Sequence, residues 1–148
     1  MVTYQEEAYS DCIEEMKLHY NDHYDELSVT KDFELDPNYE AYFAMERSKH
    51  LKVITCRKDG VLIGYIIFVL MPHLHYKSMM TALEDIYYLT KSERKGRVGI
   101  KLFQYAEQYL KSIGVHRIIY STKVHLDNSR LFEYLGYKYI EKIYSKLI

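Results

Sequence analysis

Cysteine is nearly absent from this chain. Cys12 and Cys56 are too few and too far apart to suggest a disulfide framework or a metal knuckle, and they suit a reducing compartment. Long apolar runs are missing too: the longest, Val61 to Met71, is interrupted by Gly64 and is too short to span a bilayer. The opening MVTYQEEAYSD lacks the basic region and apolar core of a signal peptide. Repeats, low-complexity tracts and linkers are likewise lacking. These absences predict a soluble cytoplasmic protein, away from membranes, built as one domain over residues 1–148.

With 48% hydrophobic residues and seventeen tyrosines, the composition is that of a folded globular chain with many amphipathic packing groups. The net charge of -1 conceals an asymmetry. Residues 1–50 hold 13 acidic and 4 basic side chains, about -9, whereas residues 51–148 hold 8 and 16, about +8. Attraction within one fold explains that split. A basic body meeting a phosphorylated cofactor or nucleic acid, and an acidic lobe receiving a cation, are the alternatives.

Val2 to Glu6 reads as a first strand. Apolar positions at Ile13, Met16 and Tyr20 then recur at helical spacing, which predicts a helix from Ser10 to about His23. His19 and His23 stand four apart, but no carboxylate completes an H-E-x-x-H pattern, so they read as surface or packing histidines. Asp36-Pro37 reads as an N-cap followed by a first-turn proline, opening a helix through Tyr39, Tyr42, Phe43 and Glu46 to about Ser48. The segment between these helices is polar and reads as exposed. Leu51 to Cys56, the turn Lys58-Asp59-Gly60 and Val61 to Leu70 form a hairpin signal. His73, His75, Met79 and Met80 follow Pro72 in what reads as a loop, where H-x-H lacks a third ligand.

A β-prone run, Leu83 to Leu89, leads into Arg94-Lys95-Gly96-Arg97-Val98-Gly99. Beyond it, Leu102, Phe103, Ala106, Leu110 and Ile113 keep one helical face, which Gly114 stops. A strand turning through glycines into a helix aims unpaired N–H groups from the positive end of the helix dipole. Lys91, Arg94, Lys95, Arg97 and Lys101 crowd the same stretch against Glu93, so the anion expected there carries several charges. Charge packed into one glycine turn suits a point anion more than a nucleic-acid backbone. His116 to Ser121 supplies the next strand and completes a βαβ unit. Asp127 reads as the cap of a short helix carrying Leu131, Tyr134 and Leu135 and stopped by Gly136. Tyr137 to Leu147 reads as a strand closing the sheet.

This order, with the RKGRVG turn and SRLFEYLGY downstream, resembles the GNAT superfamily of acyl-CoA-dependent N-acetyltransferases, most closely from Leu83 to Ile148. The family's cofactor loop is written [Q/R]-x-x-G-x-[G/A]. Arg94 takes its first position and Gly99 its last, but Arg97 stands at the middle glycine, with Gly96 one residue earlier. The resemblance implies an α+β (α/β-like) fold: a mixed central β-sheet flanked by helices, with a βαβ cofactor unit. It also implies acetyl-CoA as cosubstrate, no metal, and direct acetyl transfer to an amine of a small molecule or protein. The acidic first third favours a cationic acceptor, and a homodimer is compatible with the family.

By the same resemblance, N–H groups of Arg94, Lys95, Gly96, Arg97, Val98, Gly99 and Ile100 would bind the coenzyme A diphosphate. Edges of Tyr88 and Leu89 would pair with the pantetheine arm. Asp85 and Glu84 stand where relatives carry a carboxylate base, with Asp85 preferred by its spacing from Arg94. Strand alternation would point these neighbours to opposite faces unless a bulge intervenes. Relatives also carry Y-x-x-x-G-[FY] in the last helix, its tyrosine protonating the sulfur. Phe132 holds that position here and cannot donate, so His125, Tyr134 or water are the substitutes. Phe132 and Arg97 motivate a second reading, a non-catalytic module that keeps the fold and coenzyme A binding.

Overall fold

The computed structural model describes residues 1–28 and 32–148. Its frame is a five-stranded sheet in sequential order: β1 (Val2–Glu7), β2 (Leu51–Lys58), β3 (Val61–His73), β4 (Tyr76–Leu89) and β5 (Arg117–Ile119). The first four strands are antiparallel neighbours and β5 is parallel to β4. The mixed sheet and βαβ unit therefore form as predicted. Helices α1 (Tyr9–Lys17), α2 (Tyr20–Leu27), α3 (Tyr39–Arg47), α4 (Val98–Ser112) and α5 (Ser129–Tyr134) complete the chain.

β3 is the central strand, and its run of β-branched and aromatic residues is buried on both faces. Ile66 and Phe68 join Leu102, Phe103, Ala106 and Leu110 of α4 and Phe132 of α5 in one core. Tyr65 and Ile67 join Tyr9, Cys12, Ile13 and Met16 of α1 in the other. Period-two alternation in one strand thus serves two layers of helices. Asp59 and Gly60 both adopt positive φ, 50° and 87°, the conformation of a tight hairpin turn. Cys12 and Cys56 are buried and unbridged.

Part of the charge asymmetry is used inside the fold. Arg57 bonds Glu7 and Glu15, Lys52 bonds Glu6, and Arg94 and Lys91 both meet Glu26. Each pair joins an acid of the first third to a base of the remainder.

Several boundaries differ from the sequence reading. The single helix expected up to His23 is two, because the chain turns at Leu18 and His19 before α2 begins. α3 is capped by Asn38, whose Oδ1 accepts the Ala41 N–H at 3.1 Å; Asp36 does not cap it, and Pro37 lies before the cap. The loop expected after Pro72 is instead a hairpin, with β4 starting at Tyr76 and Met79 and Met80 already in the strand. His73 and His75 meet edge-to-face, their ring centroids 5.3 Å apart. Asn128, not Asp127, takes the N-cap position of α5, although the Asp127 carboxylate accepts the Ser129 N–H. Ile113, expected on the buried face of α4, is 42% exposed at its C-cap. The segment expected between α2 and α3 falls partly on residues 29–31, outside the described residues.

The largest correction is at the C-terminal side. Tyr137 to Leu147 forms no strand, and residues 138–148 are all exposed. Tyr137 alone packs inward, its ring 5.2 Å from Tyr120. No helix among the described residues is long and apolar enough to cross a membrane.

Candidate active site

The site is organised by a break in the β3–β4 ladder. Ile67 pairs with Ile86, but Phe68 pairs with Glu84, so Asp85 is an extra residue bulged out of β4. A bulge cancels strict alternation. As a result the neighbours Glu84 and Asp85 line the same cleft, of about 450 Å³, rather than opposite faces. β4 pairs with β5 only at Thr81–Leu83, and beyond that point the two strands separate. The cleft opens at this divergence, under α2 and the chain leading into α3.

The two carboxylates are held differently. Glu84 is buried, and its Oε2 accepts both the N–H and the hydroxyl of Ser121, at 3.0 and 2.9 Å. Burial pushes its carboxyl above the ordinary range, against the two Ser121 bonds that favour the anion. Asp85 is exposed to the cleft, and its Oδ2 accepts the Tyr42 hydroxyl at 2.5 Å. Among the groups lining the cleft, Glu34, Asp36, Glu84 and Asp85 face Lys123, so the cavity carries an acidic balance. Tyr24, Phe33 and Tyr42 supply aromatic wall.

Tyr87, two residues beyond Asp85, also lines the cleft. Its hydroxyl donates to the Ser121 carbonyl at 3.2 Å and accepts from Asn128 Nδ2 at 3.0 Å. Its ring meets Phe132 edge-on at 5.9 Å and Phe103 at 5.4 Å. A phenol therefore stands beside the phenylalanine that replaces the family's tyrosine. Burial raises its pKa, so it holds a proton at neutral pH. The other substitutes are placed less favourably: Tyr134 is 67% exposed on α5, and the His125 Nε2 lies 2.7 Å from the carbonyl of Glu26.

At the far end of β4 the chain makes a short 3-10 turn, Lys91–Glu93, and enters α4 through the glycine turn. Gly96 takes φ 89° while Arg97 stays at φ -106°. The left-handed position thus falls on Gly96, one residue before the motif's middle position, and the non-glycine at 97 is unstrained. Arg94 N–H bonds Lys91 and Lys101 N–H bonds Arg97. Between them, the N–H groups of Lys95, Gly96, Arg97, Val98, Gly99 and Ile100 have no acceptor among the described residues. Six consecutive free donors at a helix N-terminus suit a diphosphate. Gly64 lets β3 lie close under the end of β4; a Cβ there would sit 2.8 Å from the Tyr88 carbonyl.

The Arg94 side chain is committed elsewhere: Nε donates to the Leu89 carbonyl at 2.8 Å, and the guanidinium grips the Glu26 carboxylate. Glu26 thereby ties the end of α2 to the glycine turn through its carboxylate and to His125 through its carbonyl. His19 and His23 both pack against Tyr88, at 5.2 and 5.1 Å. Among the described residues no group of three or more His, Cys, Asp or Glu could hold a metal.

Tyr42, Tyr87, Ser121 and Glu26 were not singled out from the sequence. Tyr87 had a usable signal, since it shares strand parity with Asp85. The others are brought in by long-range packing that no local pattern encodes.

The family model described as the acetyltransferase (GNAT) family matches residues 13–137. A transcriptional regulator from Bacillus halodurans C-125 superposes with TM-score 0.77 at 21% identity, covering 100% of both chains. A predicted acetyltransferase from Clostridium acetobutylicum, solved with acetyl-CoA, gives TM-score 0.75 at 12% identity, over 99% of this chain and 96% of that one. An aminoglycoside acetyltransferase from an uncultured soil metagenomic sample, in complex with sisomicin, gives 0.72 at 10% identity, over 99% and 97%. No curated protein sequence matches.

Proposed function

The chain belongs to the GNAT acetyltransferase family, and from that premise we propose that it moves an acetyl group from acetyl-CoA directly to a primary amine of a small molecule or protein. The observation that carries this reading is the run of free N–H groups from Lys95 to Ile100, linked by the open edge of β4 to a cleft holding two carboxylates. Those donors, with Lys91, Lys95 and Arg97 around them, would hold the diphosphate, and the edges of Tyr88 and Leu89 the pantetheine. The excess of carboxylates over Lys123 in the cleft, and its aromatic wall, support a cationic acceptor.

An amine attacks only when neutral, so its proton must leave as the carbon–nitrogen bond forms. Asp85, exposed to the cleft, is the acceptor of that proton. Glu84 fixes the end of β5 through Ser121 and adds negative potential. When the carbon–sulfur bond breaks, the leaving thiolate takes a proton from the Tyr87 hydroxyl, which Asn128 orients. Two reactants held side by side supply much of the remaining rate.

An amine screen following free thiol release tests this reading, with Asp85→Asn and Glu84→Gln assayed separately. Acetyl-CoA at a hundred times its Kd should stabilise the fold by about 2.7 kcal/mol; no thermal shift at millimolar acetyl-CoA would contradict it. A shift without thioester consumption by any amine would favour the non-catalytic coenzyme A-binding module. Salt-sensitive binding to DNA or RNA, without a cofactor response, would favour a nucleic-acid binder.

A further inference from the structure

Helix α2 serves two places at once. Its residues Tyr20, His23, Tyr24 and Leu27 line the cleft, and Glu26 does not. The Glu26 side chain, 13% exposed, points instead to the glycine turn. Its carboxylate takes two bonds from Arg94 Nη2, at 3.0 and 2.7 Å, and lies 3.5 Å from Lys91 Nζ. Its carbonyl accepts from His125 Nε2 at 2.7 Å. Arg94 reaches Glu26 along the open edge of β4. The Thr90 N–H donates to the Ile63 carbonyl of β3, and successive residues of an antiparallel strand bond to opposite sides, so the Leu89 carbonyl faces away from β3, toward the side that β5 has left. Arg94 Nε donates to that carbonyl at 2.8 Å. Leu89, Arg94, Glu26 and His125 thus form one hydrogen-bonded strap. It runs from the end of β4, by way of α2, to the segment between β5 and α5, across the gap where the two strands diverge.

From this, and resting on the assignment of the glycine turn to coenzyme A, we infer that Glu26 is a positioning residue that couples the two substrates: it holds α2 as the wall of the cleft and, in doing so, keeps Arg94 and Lys91 from the diphosphate. The free N–H groups begin at Lys95, the residue after Arg94. A bound diphosphate and the Glu26 carboxylate are therefore like charges that draw on the same two cations. Glu26 steadies the acceptor's side of the site and weakens the cofactor's hold, so its effects on the two substrates have opposite signs. Linked equilibria are reciprocal. A diphosphate in the turn accordingly draws Arg94 and Lys91 off Glu26 and loosens α2, the helix that carries Tyr20, His23, Tyr24 and Leu27 into the cleft. A carboxylate that only stabilised the fold would affect both substrates in the same direction.

Calorimetric titration with coenzyme A, together with amide exchange over α2, tests this without knowledge of the acceptor. The parent should bind coenzyme A, and its α2 amides should exchange faster in the complex than alone. Glu26→Gln should bind coenzyme A severalfold more tightly, and its α2 amides should exchange fast whether coenzyme A is present or not. Glu26→Asp, which keeps the charge on a shorter arm, should fall between the two in both measurements. It keeps the test decisive if Glu26→Gln fails to fold, and a cooperative thermal transition establishes that each variant has folded. With an amine found by thiol release, Glu26→Gln should raise KM for the amine severalfold and leave kcat near the parent's. Coenzyme A binding in the variants that is equal to the parent's or weaker, or α2 exchange that ignores the substitutions, would overturn the inference and leave the coenzyme A site standing. A parent that binds no coenzyme A would overturn both.

Discussion

The Tyr42 hydroxyl stands 2.5 Å from Asp85 Oδ2 and binds helix α3 to the bulge of β4. This contact orients the exposed one of the two adjacent β4 carboxylates that line the cleft. Asp85→Asn should lower kcat about 10²- to 10⁴-fold while shifting Tm little, because the Asn oxygen still accepts from Tyr42. Tyr42→Phe should retain most of kcat and raise KM for the amine severalfold, since it loosens the carboxylate without removing it. Steady-state kinetics of the two variants checks both statements. An unchanged kcat for Asp85→Asn removes the proton-accepting role.

Glu84 makes a prediction about pH. Burial raises its carboxyl pKa, so the folded chain holds that proton more tightly than the unfolded chain. Stability from this group is therefore present at low pH and falls as pH rises from the ordinary value of 4.5 through the folded value. Glu84→Gln keeps an acceptor for Ser121 and removes the ionisation. Its Tm should move above that of the parent as pH rises through the window, and thermal melts in a pH series read the difference. A Tm difference that does not change with pH would show that Glu84 titrates normally.

Much of this arrangement was legible in the sequence, and what was not has physical causes. A continuous β-prone run locates β3 and helical spacing locates α4, because each is decided by the element's own burial. The glycine turn was legible in kind, and the structure explains its irregularity, since Gly96 takes the positive φ and frees position 97 for arginine. The bulge at Asp85 was not legible. Nothing in Leu83-Glu84-Asp85-Ile86 requires an extra residue; the register of β3 against β4 decides it. Tyr42 and Ser121 reach the site only through packing between elements far apart in sequence. The segment after Tyr137 was read as a strand because its composition is that of one, but no other strand pairs with it among the described residues.

Tyr87 stands beside Phe132 with its hydroxyl held by Asn128 and Ser121. If it protonates the leaving thiolate, Tyr87→Phe should lower kcat about a hundredfold with acetyl-CoA, the lower end of general-acid effects. The loss should shrink with an acetyl thioester whose thiol is more acidic, because such a sulfur leaves without a proton. Packing against Phe103 and Phe132 survives in the variant, so stability should fall by about 1–3 kcal/mol, the worth of the two hydrogen bonds its hydroxyl makes. Equal losses with both thioesters would exclude the proton-donating role.

Gly96 has open space where a Cβ would stand, but its φ of 89° is unfavourable for any side chain. Gly96→Ala should therefore cost about 1–2 kcal/mol through the backbone alone, and it should weaken acetyl-CoA binding by turning the N–H groups that follow. Arg97→Gly should cost less affinity per change in backbone freedom, since φ is already negative there. Calorimetric titration of both variants with acetyl-CoA distinguishes geometry from charge. Equal affinity in Gly96→Ala and the parent would remove the turn from the binding site.

The last prediction concerns His23, 6% exposed, whose Nδ1 meets the Tyr65 hydroxyl at 3.3 Å and whose Nε2 has no partner among the described residues. Burial lowers its pKa from 6.5 to about 4, with Arg94 and His19 acting in the same direction and Glu26 against them. The unfolded chain then binds the proton more readily than the folded one. Stability is full above pH 6.5 and is lost as pH falls toward 4, by on the order of 2 kcal/mol at pH 5. His23→Phe keeps an aromatic ring against Tyr65 and Tyr88 but cannot titrate. Its denaturation midpoint should therefore vary less than the parent's between pH 7 and 5, and parallel curves would show that His23 is already protonated in the fold. Because His23 sits on α2 three residues before Glu26, its protonation also loads the helix that grips Arg94. Acetyl-CoA affinity should accordingly change over the same pH range in the parent and stay flatter in His23→Phe.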